Sequence, residues 1–388
     1  MVVMAILPVF LGLIVTSWRG TTELRKAIGN NFEGLAKEAA SKTDLGVQKK
    51  IAELHYLGDS VEIQEALQDA LTPVSKGTIP PAQAVLPTTP SDPKVSAFLN
   101  RAMRLPENQA VIQALVITNN VGFQIASSSD APPASSASLG NETWWRESAR
   151  GEKGAVYIGE LYQHDQDATD FLFDIAMPVL DKETGKFLGI LKASLHLKPF
   201  LQPFIYPIRF GSTGHAMLID SSGVVLICPI LPTGSHVADP VLLQRITEDR
   251  SGWMTAQNDG HGGTNSIVGF APVSAVNQLV SSKGGKQWHS FIRQEPKETY
   301  EPVQSLIRTV FIYGSLLVGF TGALGYVVAG KLVHPLLLLH EGAEHIREGD
   351  LGYRLQVKTN DEIESLADKF NEMAEKLSES YANLEQKV

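Results

Sequence analysis

Residues Thr309 to Gly330 read TVFIYGSLLVGFTGALGYVVAG, and none of them is charged; Arg308 stands before the run and Lys331 after it. Twenty-two residues at about 1.5 Å rise span about 33 Å, enough for the hydrocarbon core of a bilayer. The run predicts a transmembrane helix, because buried core helices are usually shorter and keep a polar edge. Ser315, Gly319, Gly322, Gly325 and Ala329 place small residues along it, a spacing that lets helices approach closely in lipid. The run divides the chain into a long segment before it and a short polar one, residues 331–388, after it.

A second uncharged run, Met1 to Trp18, opens the chain. It sits at the low end of the spanning range. It has no basic start and no small-x-small cleavage site near Ser17 and Trp18, so a retained anchor is expected rather than a cleaved signal. The missing basic start predicts a shortened N-terminus. Arg19, Arg25 and Lys26 follow the run, but long translocated segments escape the positive-inside rule and charge alone leaves orientation open.

Composition narrows the function. The chain has 388 residues, 43% hydrophobic and 19% charged, which excludes a disordered chain of low hydrophobicity and high charge. A net charge of -9 argues against nucleic-acid binding, which needs a basic face. One cysteine, Cys228, excludes an intrachain disulfide and a multi-thiolate zinc site.

Between the apolar runs, Leu24, Ile28, Phe32, Leu35, Val47, Ile51, Leu54 and Leu57 recur at helical spacing, predicting a long helical stalk from about 23 to 71. Pro73 to Pro93 reads as a surface loop, and Val95 to Met103 as a helix. Short strands follow at 110–117, 123–127, 155–161, 171–180 and 187–195, with a Ser/Pro/Ala loop from Ser127 to Ser138 and a hairpin turn at Asp181 to Gly185. A second set is expected at 214–219, 224–228, 252–257, 263–273 and 286–294. Ile117-Thr118-Asn119-Asn120-Val121-Gly122 matches Leu218-Ile219-Asp220-Ser221-Ser222-Gly223, and Ile175 to Val179 matches Val268 to Val273. Two related α+β modules in tandem explain both repeats.

The helical spine, Trp144-Trp145, the strand ending in Pro178-Val179, the Thr184-Gly185-Lys186 turn and Gly269-Phe270-Ala271-Pro272-Val273 resemble a double Cache sensor domain. The resemblance implies two PAS-like antiparallel-sheet modules over residues 19–300, a membrane-distal one at about 72–200 and a membrane-proximal one at about 201–298. It also implies that this segment lies outside the cytoplasmic membrane of a bacterium.

After the transmembrane run, Leu336, Leu339, Ala343 and Ile346 form one heptad seam. Ile363, Leu366, Phe370, Met373 and Leu377 form another, with Leu384 one heptad on. Leu351, Leu355 and Val357 mark an extended connector. Pro335, Gly349-Asp350-Leu351, Asp361-Glu362-Ile363 and Asn371-Glu372-Met373 are similar to a HAMP domain over 331–384. The resemblance implies a parallel four-helix bundle in a homodimer, packed through those seams with Pro335, Leu351, Val357 and Glu362. Residues 385–388 would begin a signalling helix toward an output domain beyond the chain.

Candidate site residues come from the distal module. Asp170, Leu172, Asp174 and Ala176 share one strand face by period two. The Cache resemblance implies that aromatics after the central loop and an acidic residue on a nearby strand bind a small ligand. By position these are Trp144, Trp145, Arg146, Tyr157, Tyr162, Asp170 and Asp174. Glu142 stands where the amino-acid-sensing subset of the family carries an arginine. That lowers the amino-acid class and favours a cationic amine.

His340 and His345 on the first HAMP helix are five residues apart, about 140° around it, so they cannot share a metal on one face. The Gly260, Gly262, Gly263 loop lacks a phosphate-binding Lys-Ser/Thr. His164, His196, His215, His236 and His289 are scattered. No catalytic residue, metal or cofactor is therefore expected. The expected protein is a multi-pass sensor of the bacterial inner membrane with its HAMP domain in the cytoplasm. It would take a small-molecule ligand outside and contact lipid, its own copy and a downstream output module. A histidine kinase is the first expectation for that output, with a chemotaxis receptor or nucleotide cyclase as the alternative. A membrane-anchored extracytoplasmic enzyme is the remote one.

Overall fold

The structure is a computed structural model that describes residues 2–71, 92–128, 138–150, 155–164, 167–237, 239–248, 250–262, 265–281 and 285–385. The loop expected at 73–93 and most of that at 127–138 lie outside these residues. The chain forms two compact units, residues 22–301 and residues 1–21 with 302–388.

Helix α1 (Val2–Gly58) is longer than expected at its start, because the first apolar run continues into the stalk without a break. At its other end Asp59-Ser60 separates it from α2 (Val61–Asp69), so the stalk expected to 71 is two helices. Phe32, Ala36, Ala39, Ala40, Val47 and Leu54 of α1 are buried. Their steps of three, four and seven keep one stripe inward.

Two antiparallel sheets lie in the first unit. The first contains β1 (Ile112–Asn119), β2 (Gln124–Ser127), β3 (Tyr157–Ile158), β4 (Tyr162–His164), β5 (Asp167–Leu180) and β6 (Phe187–His196), in the order β2-β1-β6-β5-β3 with β4 also on β5. The second contains β7 (Arg209–Phe210), β8 (Gly214–Asp220), β9 (Val225–Ile227), β10 (Gly252–Ala256), β11 (Ser266–Pro272) and β12 (Trp288–Arg293). Here β10-β11-β12-β8 run in order and β9 also pairs β8. Reading β9-β8-β12-β11-β10 against β2-β1-β6-β5-β3 gives one topology used twice.

The repeated turn is built identically in both. Asn119 Oδ1 accepts from Val121 N and Phe123 N, and Gly122 takes φ +89°. Asp220 Oδ1 accepts from Ser222 N and Val224 N, and Gly223 takes φ +88°. A short acceptor side chain that ties down the turn, followed by a residue free to take positive φ, is the reason for the shared pattern.

Helix α5 (Leu197–Ile205) follows β6 directly and joins the two sheets. Phe173 of β5 meets Phe200 of α5 at 5.6 Å and Trp288 of β12 at 5.7 Å, so the modules share one core. The strand expected over 155–161 shortens to β3, and the second module's 224–228 strand to β9. Helices α3 (Pro93–Met103), α4 (Thr143–Ala149), α6 (Pro240–Ile246) and α7 (Ser274–Ser281) complete the unit. Asp44 of α1 accepts from Ala275 N and Val276 N at 3.0 and 3.1 Å, capping the start of α7.

In the second unit, helix α8 (Pro296–Val328) carries the apolar run and passes through a π turn (Ala329–Val333) into α9 (His334–Arg347). Pro335 has no N–H and its ring crowds the carbonyl four residues back, which favours a wider turn at that point. Among the described residues one helical stretch, Pro296–Arg347, is long and apolar enough to cross a membrane; the qualifying window has mean hydropathy 1.7 and none of it is buried.

After the connector, α10 (Glu362–Glu385) packs back on α9. Leu355, Val357 and Ala367 are buried against Leu338, Leu339, Tyr353, Ile363 and Phe370. Asn371 clasps the connector by accepting from Leu355 N at 2.8 Å and donating to Leu355 O at 3.0 Å. Of the expected packing residues, Pro335 is buried and Leu339, Val357, Ile363 and Phe370 join this cluster. Ala343 and Ile346 lie on α9, Leu351 in the connector, and Glu362 opens α10. Leu336, Leu366, Met373 and Leu377 are exposed in the single chain, as is Leu384.

Gly269 in β11 lets α1 approach closely: a Cβ there would stand 2.2 Å from the Phe32 carbonyl carbon and 2.6 Å from Glu33 N. Gly269→Ala should lower the sensor unit's urea-unfolding stability by about 1–3 kcal/mol. Gly34→Ala, in the same helix with open space around it, should be neutral or stabilising by about 0.5–1 kcal/mol. Equal midpoints for the two variants would refute the close-packing account.

Candidate functional site

The face of the first sheet turned away from its main core carries the polar residues singled out from the sequence. Asp174 on β5 pairs in register with Ser194 on β6, and Ala176 with Lys192. Pleating therefore sets Asp174, Lys192 and Ser194 on one face. Asp174 Oδ1 accepts from Ser194 Oγ at 2.7 Å and from the Tyr162 hydroxyl at 2.9 Å. Asp174 Oδ2 accepts from Lys192 Nζ at 3.2 Å. The two charged side chains are 13% and 17% exposed, so the pair is screened far less than a surface pair.

Helix α4 covers this face. Lys192 Nζ lies 5.1 Å from the centre of the Trp144 ring, a cation–π distance. Trp144, Trp145, Ala176 and Ile190 form a small apolar cluster with Tyr157 and Phe187 packed against it. Desolvation, then the nearby Asp174 carboxylate, push the Tyr157 phenol above its ordinary pKa. At neutral pH it is a hydroxyl donor. Gly159 N donates to the Asp174 carbonyl at 2.8 Å, which holds the 159 segment against β5.

The structure thus brings together Trp144, Tyr157, Tyr162 and Asp174. Trp145 is 6% exposed and donates its Nε1–H to Thr118 Oγ1 at 3.0 Å, a framework contact. Arg146 points to solvent. Asp170 lies on the same strand but pairs with His196 Nδ1 at 2.8 Å, and His196 Nε2 lies 2.7 Å from Gln113 Oε1. Glu142 is exposed at the N-cap of α4. Sequence reasoning missed Lys192 and Ser194. The signal was present: Lys192 is the one Asp, Glu, Lys or Arg in Phe187–His196, an otherwise largely apolar strand.

A cleft of about 330 Å³ lies elsewhere, between the modules, lined by Glu160, Phe171, Asp220, Lys286 and Trp288 among others. Asp174 and Trp144 do not line it. The Asp174 cluster gathers charged, phenolic and aromatic groups on one face of the sheet.

A family model described as a Cache domain matches residues 20–303, and a HAMP domain model matches residues 327–379. The methyl-accepting chemotaxis protein McpA of Pseudomonas putida is 28% identical over 225 residues, 54% of this chain and 31% of that protein. The methyl-accepting chemotaxis protein PctB of Pseudomonas aeruginosa is 28% identical over 215 residues, 54% of this chain and 32% of that protein. The sensor histidine kinase MtrB of Mycolicibacterium paratuberculosis is 28% identical over 134 residues, 34% of this chain and 22% of that protein. The chain spans about a third or less of the length of these relatives. With most of its length matched by one family model and a second model following it in order, the chain belongs to the Cache domain family and, carrying a HAMP domain, is the sensory half of a receptor.

Proposed function

We propose that the distal module binds a small ligand at Asp174, Lys192, Tyr162, Tyr157 and Trp144, and that binding outside the cell is relayed through α8 to the HAMP helices. The observation that carries this reading is the Asp174–Lys192 pair, with both signs of charge on one face under an indole ring. It also revises the expected ligand. A purely cationic amine would meet Lys192 as well as Asp174, whereas a small zwitterion finds a counter-charge for each end. Glu142, exposed at a helix cap, has no contact with this pair that would repel a carboxylate. Arg146 and Trp145 are given no ligand contact in this reading. Asp170, paired with His196, is likewise given no ligand contact.

The topology we propose keeps two membrane spans, Met1 to Trp18 and Thr309 to Gly330, with the sensor outside and HAMP in the cytoplasm. It divides the sensor at about residue 200 into distal and proximal modules. The HAMP helices would pair with a second copy. Leu336, Leu366, Met373, Leu377 and Leu384 remain exposed at heptad steps, and burying such a seam is what drives coiled-coil pairing. For the output, a chemotaxis signalling domain takes first place over the kinase expected from the sequence. The chemotaxis relatives match 54% of the chain and the kinase relative 34%.

The ligand reading is tested on the full chain in detergent by thermal shift against matched panels of small amines, carboxylates and zwitterions. A zwitterion should raise the melting temperature most. Asp174→Asn and Lys192→Met should each weaken its binding at least about tenfold, a modest part of the cost of removing one partner of a shielded ion pair. Arg146→Ala should leave it unchanged. A hit that binds both pair variants as tightly as the parent would remove the site.

The dimer seam is tested by oxidative cross-linking in a Cys228→Ser background. Leu377→Cys should cross-link in membranes, and Glu375→Cys, on another face of the same helix, should not. Equal cross-linking at both positions would sink the paired-seam reading.

A further inference from the structure

A second constellation lies in the proximal sheet, away from the ligand cluster. His215 stands on β8, Cys228 just past β9, and His261 in the loop between β10 and β11. His215 Nε2 and His261 Nε2 are 3.2 Å apart, and Cys228 Sγ is 3.5 Å from each. His215 and Cys228 are 2% and 6% exposed, and His261 is half-buried.

The outward nitrogens fix what the inner ones can do. His215 Nδ1 lies 2.8 Å from the Thr213 carbonyl oxygen, and His261 Nδ1 lies 3.2 Å from that of Asp259. A carbonyl oxygen only accepts, so each ring carries its hydrogen on Nδ1 and turns the Nε2 lone pair inward. Two nitrogen lone pairs and a sulfur therefore converge with one thiol hydrogen to share among them. That hydrogen can satisfy only one nitrogen.

We propose that His215 Nε2, His261 Nε2 and Cys228 Sγ bind a zinc-class divalent ion. With bond lengths of about 2.0–2.1 Å to nitrogen and about 2.3 Å to sulfur, tetrahedral zinc spaces its N and S donors about 3.3–3.6 Å apart. The three distances here are 3.2, 3.5 and 3.5 Å. Histidine ligands that donate their other ring N–H to a carbonyl are the usual outer arrangement of such sites. Ile230 N donates to the sulfur from 3.4 Å.

Arg293 is the cation that would oppose an ion, and it is already paired. Its Nε and an Nη lie 2.9 and 2.7 Å from Asp259 Oδ2. Asp259 Oδ1 also accepts from His261 N at 2.9 Å, so this buried pair positions His261. On binding, the Cys228 S–H bond breaks, the proton leaves to solvent, and the sulfur lone pair forms the bond to the metal. Three protein donors leave a further position for water or another ligand.

The test uses the tag-free full chain in detergent, stripped with a chelator and titrated with Zn²⁺. The expected result is one ion per chain with release of the thiol proton. Co²⁺ in its place should give a thiolate-to-cobalt charge-transfer band that Cys228→Ser abolishes. His261→Gln, at the half-exposed donor, should weaken zinc binding at least about tenfold, with the melting temperature of the stripped protein unchanged. Substoichiometric zinc, a cobalt band that survives Cys228→Ser, or binding of Cu⁺ without Zn²⁺ would each overturn the assignment. None of these readouts depends on the distal ligand, so this test and that of the distal site fail separately.

Discussion

The contact on which the sensor unit depends is the approach of one helix backbone to a strand. At Gly269 the main chain of β11 lies so near Phe32 that no side chain fits between them. The facing residues of α1 are small, with Ala36, Ala39 and Ala40 buried, and Ser290 of β12 donates its hydroxyl to the Ala36 carbonyl at 2.7 Å. Farther along, Gly46 faces the Phe204 ring, and α2 reaches the first sheet through Gln64, which donates to the Leu180 carbonyl at 3.1 Å. The spine α1–α2 is therefore the common support of both sheets. Packing of this density has little room for a gradual shift, so displacement of one sheet is felt by the spine as a whole.

The polar face of the first sheet follows from the same register. In β5, Phe173, Ile175 and Met177 fill the core while Asp174 and Ala176 turn the other way. A lone carboxylate on this shielded face would be costly to bury. Lys192, Ser194 and Tyr162 supply the counter-charge and hydrogen bonds that make it tenable. In the proposed site, a ligand of either charge alone would have to break the Asp174–Lys192 pair, and one carrying both charges would only exchange partners.

Much of this was legible from the sequence because local chemistry fixed it. The apolar stripe of α1, the Asn119 and Asp220 turns and the two HAMP seams depend on spacing that any register preserves. Tyr162 and Asp174 were singled out through strand alternation and the family likeness. Lys192 and Ser194 were not, since their place beside Asp174 depends on which residues of β5 and β6 pair. Trp145 was expected as a ligand aromatic, and its hydrogen bond to Thr118 is a contact that strand spacing does not show. The His215, Cys228 and His261 set was hidden for a different reason. Its members lie on three separate segments, and only the folding of β8, β9 and the β10–β11 loop brings them together, with none of the short spacings that betray a finger-type site.

The HAMP segment divides its contacts in a way that suits a relay. Within the chain the fixed part is local: Asn371 holds Leu355 from both sides, and Leu355 and Val357 fill the space between connector and α10. Gly342 of α9 accommodates the Leu355 side chain at a distance a methyl would not allow. The outward leucines of α9 and α10 take no part in that cluster, and the π turn before Pro335 separates α9 from the straight run of α8. In the proposed relay, a twist or small axial shift of α8 would reach α9 across this π turn. The connector ties α9 to α10, and their exposed leucines stay outside that cluster. In the proposed dimer the seam between copies is then the element with two arrangements, and the intrachain clasp carries a shift of α9 over to α10.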